Sequence, residues 1–587
     1  MKPACSKITT RQCNKLFPWA LFLFQFMFIA SAFTQKSNIT NRFHPPLEIP
    51  LRLSGNFGEL RSNHFHAGID IKTQGVTGQK LFAIADGYVS RIRVAANGYG
   101  KAIYIHHPEK EVTSVYGHLK AFNDQIASYI KDRQYKNQSF EIQLFPEKNQ
   151  FPVKQGELIG YSGNSGSSDG PHLHFEIRKI TNQHPINPLH YKFDIADNIA
   201  PEIFNLAVYP RNKNSIINGK NEKLILNAVS SENDQYKVAE ENKLKLHGPV
   251  GFGIRTFDFL NGTPNWCGIY SLKLYIDSTL IYKHTMDEFS FSETRYINSF
   301  IDYESKIRNN STLQKSFVQP HNNLSIYEFL RNDGYYNFDT DATHQVQYEV
   351  TDVYGNTSIL NFEVQGTDGS NANHQHQDKE QAYEKVMPYN KENQFNREGV
   401  KLHIPKNAFY DTVYFEYDKQ KMKGENFHSH LHQIHNKYTA VHKNYTLSIK
   451  TGKLPAGLED KAFIAYLEED EYVYAGSEKV NGFISAQVRK LGAYIIMVDN
   501  DKPTITPFRS NNKKISYKIK DELSGIKHYN GFIDGEWALF EYDPKNDLLT
   551  YKIDKSRLSN AKTHKVELYI SDEMDNIATF QDTFTVK

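Results

Sequence analysis

"GPHLHFEIRK", residues 170–179, is the stretch on which the reading of this chain turns. From Pro171 to Ile177 polar and apolar residues alternate, as they do along a β-strand, where side chains two apart share a face. His172, His174 and Glu176 therefore project from one face. Leu173, Phe175 and Ile177 project from the other, the expected core face. Two imidazoles on one face can serve one site, one binding a metal while its neighbour handles protons or developing charge. An isolated His-x-His is more often a solvated strand pair, so the reading depends on partners elsewhere in the chain.

Those partners lie upstream. "NHFHAGIDI", 63–71, offers His66 and Asp70, and "VYGHLKAF", 115–122, offers His118. Zinc accepts imidazole and carboxylate donors in tetrahedral sites, and catalytic sites keep one position open. Three protein ligands can be drawn from His66, Asp70 and His174. His118 and His172 are then left for proton and charge work. Glu176 reads as an exposed or supporting group rather than a base, because the helical His-Glu-x-x-His motif is absent.

The three motifs "HAGID", "YGHL" and "GPHLHFEI" resemble, in this order, the lysostaphin-type (LytM-type) zinc metallopeptidases that cut peptidoglycan peptides. The intervening text is similar too: "FGELRSNHFHAGIDI", "ADGYV", "NGYGKAIYIHH" and "GELIGYSGNSGSSDGPHLHFEI". The resemblance covers residues 50–180. It implies a small antiparallel β-sheet domain with a groove over the sheet and a Zn²⁺ cofactor. By the same resemblance, His66, Asp70 and His174 are the metal ligands, and His118 and His172 are the non-ligand catalytic histidines. His172 is expected to be the general base and His118 the oxyanion stabiliser, roles the two could exchange. One departure is Asn164 and Asp169, where family members commonly have Thr.

The rest of the chain reads as β-rich modules. With 587 residues, roughly three to five domains of ~100–200 residues are expected. The expected fold class is mostly β: the metallopeptidase domain at 45–190, with an insertion at 121–150 holding a short helix, then several β-sandwich (Ig-like) modules. These are a β-sandwich region at 200–366, a polar linker at 367–382, a β-rich domain at 383–497 and a C-terminal sandwich at 500–587. "YISDEMDNIATFQDTFTV", 569–586, is similar to "EVTDVYGNTSILNFEV", 349–364, so the second and last regions read as related modules. Asp86-Gly87 and Asn97-Gly98 are hairpin signals. The insertion is placed to cover or extend the groove.

The N-terminus reads as a secretory signal, 1–32: basic residues, the apolar run "LFPWALFLFQFMFIA", 16–30, and an A-x-A site ending at Ala32. Cleavage there implies export to the periplasm, the envelope or the medium, with no stable transmembrane segment. Cys267 is then the one cysteine left and reads as a buried small hydrophobe. The 69 Lys+Arg against 67 Asp+Glu give no electrostatic case for a nucleic-acid partner. "NFHSHLHQIH", 426–435, reads as a solvated loop or strand edge rather than a second metal site.

Three functions fit: a zinc endopeptidase acting on peptidoglycan peptides, a silent regulator or activator of a cell-wall hydrolase on the same fold, and a structural or adhesive surface protein. The five filled positions favour the first. The C-terminal β-modules are the expected contact surface for envelope protein partners.

Overall fold

In the computed structural model, the described residues are 42–239, 243–368 and 383–586. The expected signal segment and residues 369–382 of the expected linker lie outside them. The first β-region is built on β1 (Leu53–Gly55), β2 (Ile69–Lys72), β3 (Gly87–Val94), β4 (Lys101–His107), β5 (Val112–Gly117), β6 (Ile142–Leu144) and β7 (His172–Lys179). These pair antiparallel in the order β1-β2-β7-β5-β4-β3-β6. Strand β7 is thus internal, held by β2 on one side and β5 on the other. Leu173, Phe175 and Ile177 are fully buried in the core beneath it, packed with Ile69, Ile71 and Tyr116. That burial fixes the register, because a slip of one residue would send the apolar set to the groove face.

Asn97-Gly98 turns the chain between β3 and β4. Asp86-Gly87, by contrast, closes no hairpin. The strand before it, Lys80–Phe82, belongs to a separate three-stranded sheet, and the Asp86 carboxylate instead accepts the Gln155 backbone N–H at 2.8 Å. Gly87 is needed for closeness rather than for a turn, since a Cβ there would lie 2.1 Å from the His106 carbonyl oxygen.

The insertion carries helix α1 (Asp124–Asn137), started by the Asn123 side chain accepting from the Ile126 N–H. It does not cover the groove but faces the last β-region. The Arg557 guanidinium lies 3.7 Å from the Tyr135 ring centre, Trp537 meets Tyr135 edge-on, and Lys131 pairs with Asp554.

Residues 202–366 form a thirteen-stranded assembly around the long β8 (Leu244–Phe259), with a hairpin of β9 (Thr343–Thr351) and β10 (Thr357–Gly366). Residues 385–498 contain two five-stranded sheets, and 504–585 two four-stranded sheets. Alternating burial along β9 and β10 places valine, tyrosine, leucine and phenylalanine inside and polar residues outside. The fold is therefore mostly β throughout. Cys267 is free and buried. In the histidine-rich stretch, His432 and His435 are buried rather than solvated; the Tyr417 hydroxyl lies 2.8 Å from His432 Nδ1, within hydrogen-bond distance. No helix among the described residues is long and apolar enough to cross a membrane.

Candidate metal centre and groove

The register of β2, β7 and β5 assembles the site. Asp70 lies opposite His174, and His174 lies opposite Gly117. Cross-strand partners share a face, so the carboxylate and the imidazole project together into the groove. Gly117 leaves room for the His174 ring, because a Cβ there would lie 3.3 Å from the His174 Cβ. His66 arrives from the loop before β2, fixed by backbone bonds from His66 N to the Glu59 carbonyl and from Gly58 N to the His66 carbonyl.

Three donor atoms converge. His66 Nε2 is 3.1 Å from Asp70 Oδ1 and 3.0 Å from His174 Nδ1, and His174 Nδ1 is 2.9 Å from Asp70 Oδ1. An ion at the usual ~2.0–2.1 Å zinc–donor distances can cap a triangle of this size. The outer atoms of each candidate ligand are engaged elsewhere, which settles which atoms face inward. His66 Nδ1 donates to the Asn56 carbonyl at 2.7 Å, and His174 Nε2 donates to Glu176 Oε1 at 2.8 Å. Arg61 holds Asp70 Oδ2 at 3.0 Å, leaving Oδ1 for the site. Burial alone would raise the Asp70 pKa, but the three surrounding histidines outweigh it and hold the carboxyl well below its usual range. The residues present fit a small dication.

His118 and His172 face the same groove, with ring centres 4.8 Å apart. His118 Nδ1 donates to the Ser165 carbonyl at 2.8 Å, and His172 Nδ1 donates to the Gly170 carbonyl at 2.9 Å. Each ring thereby turns Nε2 inward. His172 Nε2 lies 3.5 Å from Asp70 Oδ1, at the edge of the donor triangle. His118 sits in the left-handed backbone region, φ 61°, a costly conformation for a residue with a Cβ. Its backbone N–H to the Tyr99 carbonyl and its side-chain bond to Ser165 hold it there. Burial, with the neighbouring His174 and His172 adding to it, pushes the His118 pKa down to about 3, so this ring is neutral at ordinary pH.

Glu176 is fully buried rather than exposed. Its Oε1 also takes the Tyr99 hydroxyl, and its Oε2 takes Arg178 Nε at 2.5 Å. Arg178 in turn stacks on Phe291, 4.4 Å from the ring centre. Tyr99, Arg178, Asn56 and Arg61 were not singled out by the sequence reasoning. A polar residue two places beyond Glu176 on the same strand face was the available signal for Arg178. Asn56 acts through its backbone, which no side-chain pattern reveals. His64 is exposed and lines the groove rim. The groove encloses about 1000 Å³; Asn265, from the second β-region, and the 167–172 loop complete its wall. No residue of the 121–150 insertion lines it.

Residues 64–135 and 137–188 match the family model of peptidase family M23, and residues 384–499 match that of a Zu5-like domain. DD-carboxypeptidase/endopeptidase Mpg of Neisseria meningitidis is 33% identical over 143 residues, covering 24% of this chain and 26% of that protein. An uncharacterized metalloprotease of Haemophilus influenzae is 31% identical over 153 residues, covering 25% and 26%. The catalytic domain of the prophage-encoded M23 protein EnpA from Enterococcus faecalis is 26% identical, covering 26% of this chain and 98% of that one, at a TM-score of 0.19. The chain spans about a quarter of the length of these curated relatives. Within residues 64–188, then, the chain carries a lysostaphin-type domain of peptidase family M23.

Proposed function

We propose that this protein is an exported zinc metalloendopeptidase that hydrolyses peptide cross-links of bacterial peptidoglycan, with its catalytic module at 45–190. The observation that carries the reading is the convergence of His66, Asp70 and His174 donor atoms to within 3.1 Å of one another, beside two further imidazoles. The name of the Neisseria relative, a DD-carboxypeptidase/endopeptidase, supports direct cross-links between D-amino acids as the bonds cut. The β-modules after residue 200 are read as contact surfaces for the envelope.

His66, Asp70 and His174 are the proposed ligands. Zinc, when bound, supplies a Lewis acid that polarises the scissile carbonyl and brings the pKa of water toward ~7. The chain's own part is positional and protonic. His172, whose Nε2 points at the donor triangle, takes the proton from the attacking water. His118, fixed through Nδ1 by the Ser165 carbonyl, turns Nε2 to the same space and donates to the developing oxyanion once that nitrogen carries a proton, and the pair returns a proton to the leaving amine. Such general acid–base help is worth ~10²–10⁴ in rate.

The deciding experiment measures zinc per chain in residues 33–587 and incubates the protein with purified peptidoglycan, with and without chelator. Near one zinc and chelator-sensitive release of uncross-linked muropeptides are expected. Neither zinc nor hydrolysis would overturn the reading in favour of a silent regulator.

A further inference from the structure

Far from the peptidase groove, three carboxylates meet inside the second β-region. Asp197 precedes its first strand, Asp258 lies near the end of β8, and Asp352 opens the turn between β9 and β10. One oxygen from each lies within 4.8 Å of the others. Asp258 and Asp352 are 3% and 2% exposed, too buried for water to neutralise them cheaply.

The three are not equally provided for. Asp352 is fully engaged: it accepts the Tyr354 and Asn356 N–H groups at 2.8 Å each and the Asn356 side-chain amide at 2.7 Å. The same amide reaches the Asp197 carbonyl at 3.5 Å, tying the two segments together. Asp258 Oδ1 and Asp197 Oδ2, however, are buried with no hydrogen-bond partner. Among the described residues, no lysine, arginine or histidine forms an ion pair with any of the three. Burial, reinforced by the neighbouring carboxylates, pushes Asp258 up to about 8.

A second, similar cluster in the same chain shows what is missing. Asp499, Asp521 and Asp572 also converge, and Asp572 holds Asn576 as Asp352 holds Asn356. There Asp521 accepts three backbone N–H groups, from Leu523, Ser524 and Gly525. Asp258, as deeply buried as Asp352, leaves one carboxylate oxygen without any such donor. Two unpartnered buried carboxylate oxygens aimed at a third carboxylate demand positive charge. An all-oxygen donor set is that of a hard divalent cation.

We propose that Asp197, Asp258 and Asp352 bind one divalent cation of the calcium class, which pins the segment entering the second β-region to the β9–β10 turn. The test is a calorimetric titration of CaCl₂ into the full chain after chelator treatment and dialysis, with the thermal midpoint recorded with and without Ca²⁺. Asp258→Asn should bind one Ca²⁺ equivalent fewer than the unsubstituted protein, and its midpoint should rise less with Ca²⁺. Asp197→Asn, at the half-exposed rim, should weaken binding at the same site at least tenfold and guards against misfolding of the first variant. His66→Ala should leave the Ca²⁺ count unchanged, which separates this site from the peptidase centre. No Ca²⁺ uptake by the unsubstituted protein, or uptake by both aspartate variants equal in number and affinity to that of the unsubstituted protein, would overturn the proposal.

Discussion

Replacing Glu176 by Gln tests how the site is held. Glu176 has two jobs: Oε1 fixes the His174 ring through Nε2 at 2.8 Å, and Oε2 neutralises Arg178 at 2.5 Å. Glutamine keeps the shape, but its amide has one acceptor end and one donor end. If the oxygen stays on His174, the NH₂ group meets the Arg178 Nε–H, and two donors face each other. Arg178, 7% exposed, is left as a buried charge without its ion partner. Breaking a buried pair from one side costs about 3–5 kcal/mol. Loss of the carboxylate behind a ligating histidine weakens metal affinity ~10–100-fold. Two separable losses are therefore expected: a lower thermal midpoint for the unfolding of this β-region, and weaker zinc binding in competition with a chromophoric chelator. The double variant Glu176→Gln with Arg178→Met removes the orphaned charge while keeping a side chain against Phe291. It should recover much of the stability and none of the zinc affinity. If folded Glu176→Gln binds zinc as tightly as the unsubstituted protein, Glu176 does not position His174 for a metal and the argument fails.

Other outcomes follow from the same geometry. His172→Ala and His118→Ala should each keep one zinc per chain and lose ~10²–10⁴ in muropeptide release; full activity in either would remove that histidine from the reaction. Burial opposes ionisation of Glu541, but Lys101 and Lys552 outweigh it and hold its pKa at about 2. Because that folded-state pKa is depressed, its contribution is present above pH ~4.5 and fades as pH falls toward 2, so the stability difference between Glu541→Gln and the unsubstituted protein should shrink over that window. At neutral pH the difference is on the order of 3 kcal/mol, and a pH-independent difference in differential scanning calorimetry would refute the ion-pair account. Gly100→Ala should impair turnover with zinc retained: Gly100 has φ 61°, and a Cβ there would lie 2.4 Å from the Ser165 backbone that orients His118. Lys545→Ala should do the same more mildly, read as kcat on a soluble cross-linked peptide.

The five residues that the structure brings together in the groove were legible because each sits in a short motif of polar side chains, and because strand alternation alone sorts His172, His174 and Glu176 from Leu173, Phe175 and Ile177. The β-rich character of the remainder was legible from the same alternation along 343–366. Glu176 was ambiguous for a physical reason: an acidic residue on a strand face is exposed or buried depending on whether a cation reaches it. That cation, Arg178, is recognisable as its partner only once Tyr104 and Phe291 wall it in. Asp86-Gly87 misled because the dipeptide reports a tight chain reversal, while here the chain passes between two sheets.

The least legible feature is the contact of the last β-region with the peptidase loop, since it joins residues more than 370 positions apart. Lys545 Nζ donates to the Asn164 and Ser168 carbonyls at 2.8 Å each. Residues 164–168 are also the loop whose Ser165 carbonyl accepts from His118 Nδ1 and whose Ser168 hydroxyl lies 3.2 Å from His172 Nδ1. A single lysine from the C-terminal sandwich thus braces the segment that orients both non-ligand histidines. Lys101–Glu541 and Lys131–Asp554 anchor the same sandwich to the peptidase sheet and to α1. From sequence alone, removing 383–587 should spare activity on soluble peptides, because detached targeting modules contribute nothing to chemistry. With this bracing, the same truncation frees the 164–168 loop and strips partners from Lys101 and Lys131. Turnover on a soluble peptide should therefore fall while His66, Asp70 and His174, the proposed metal ligands, which touch none of residues 383–587, should still bind zinc.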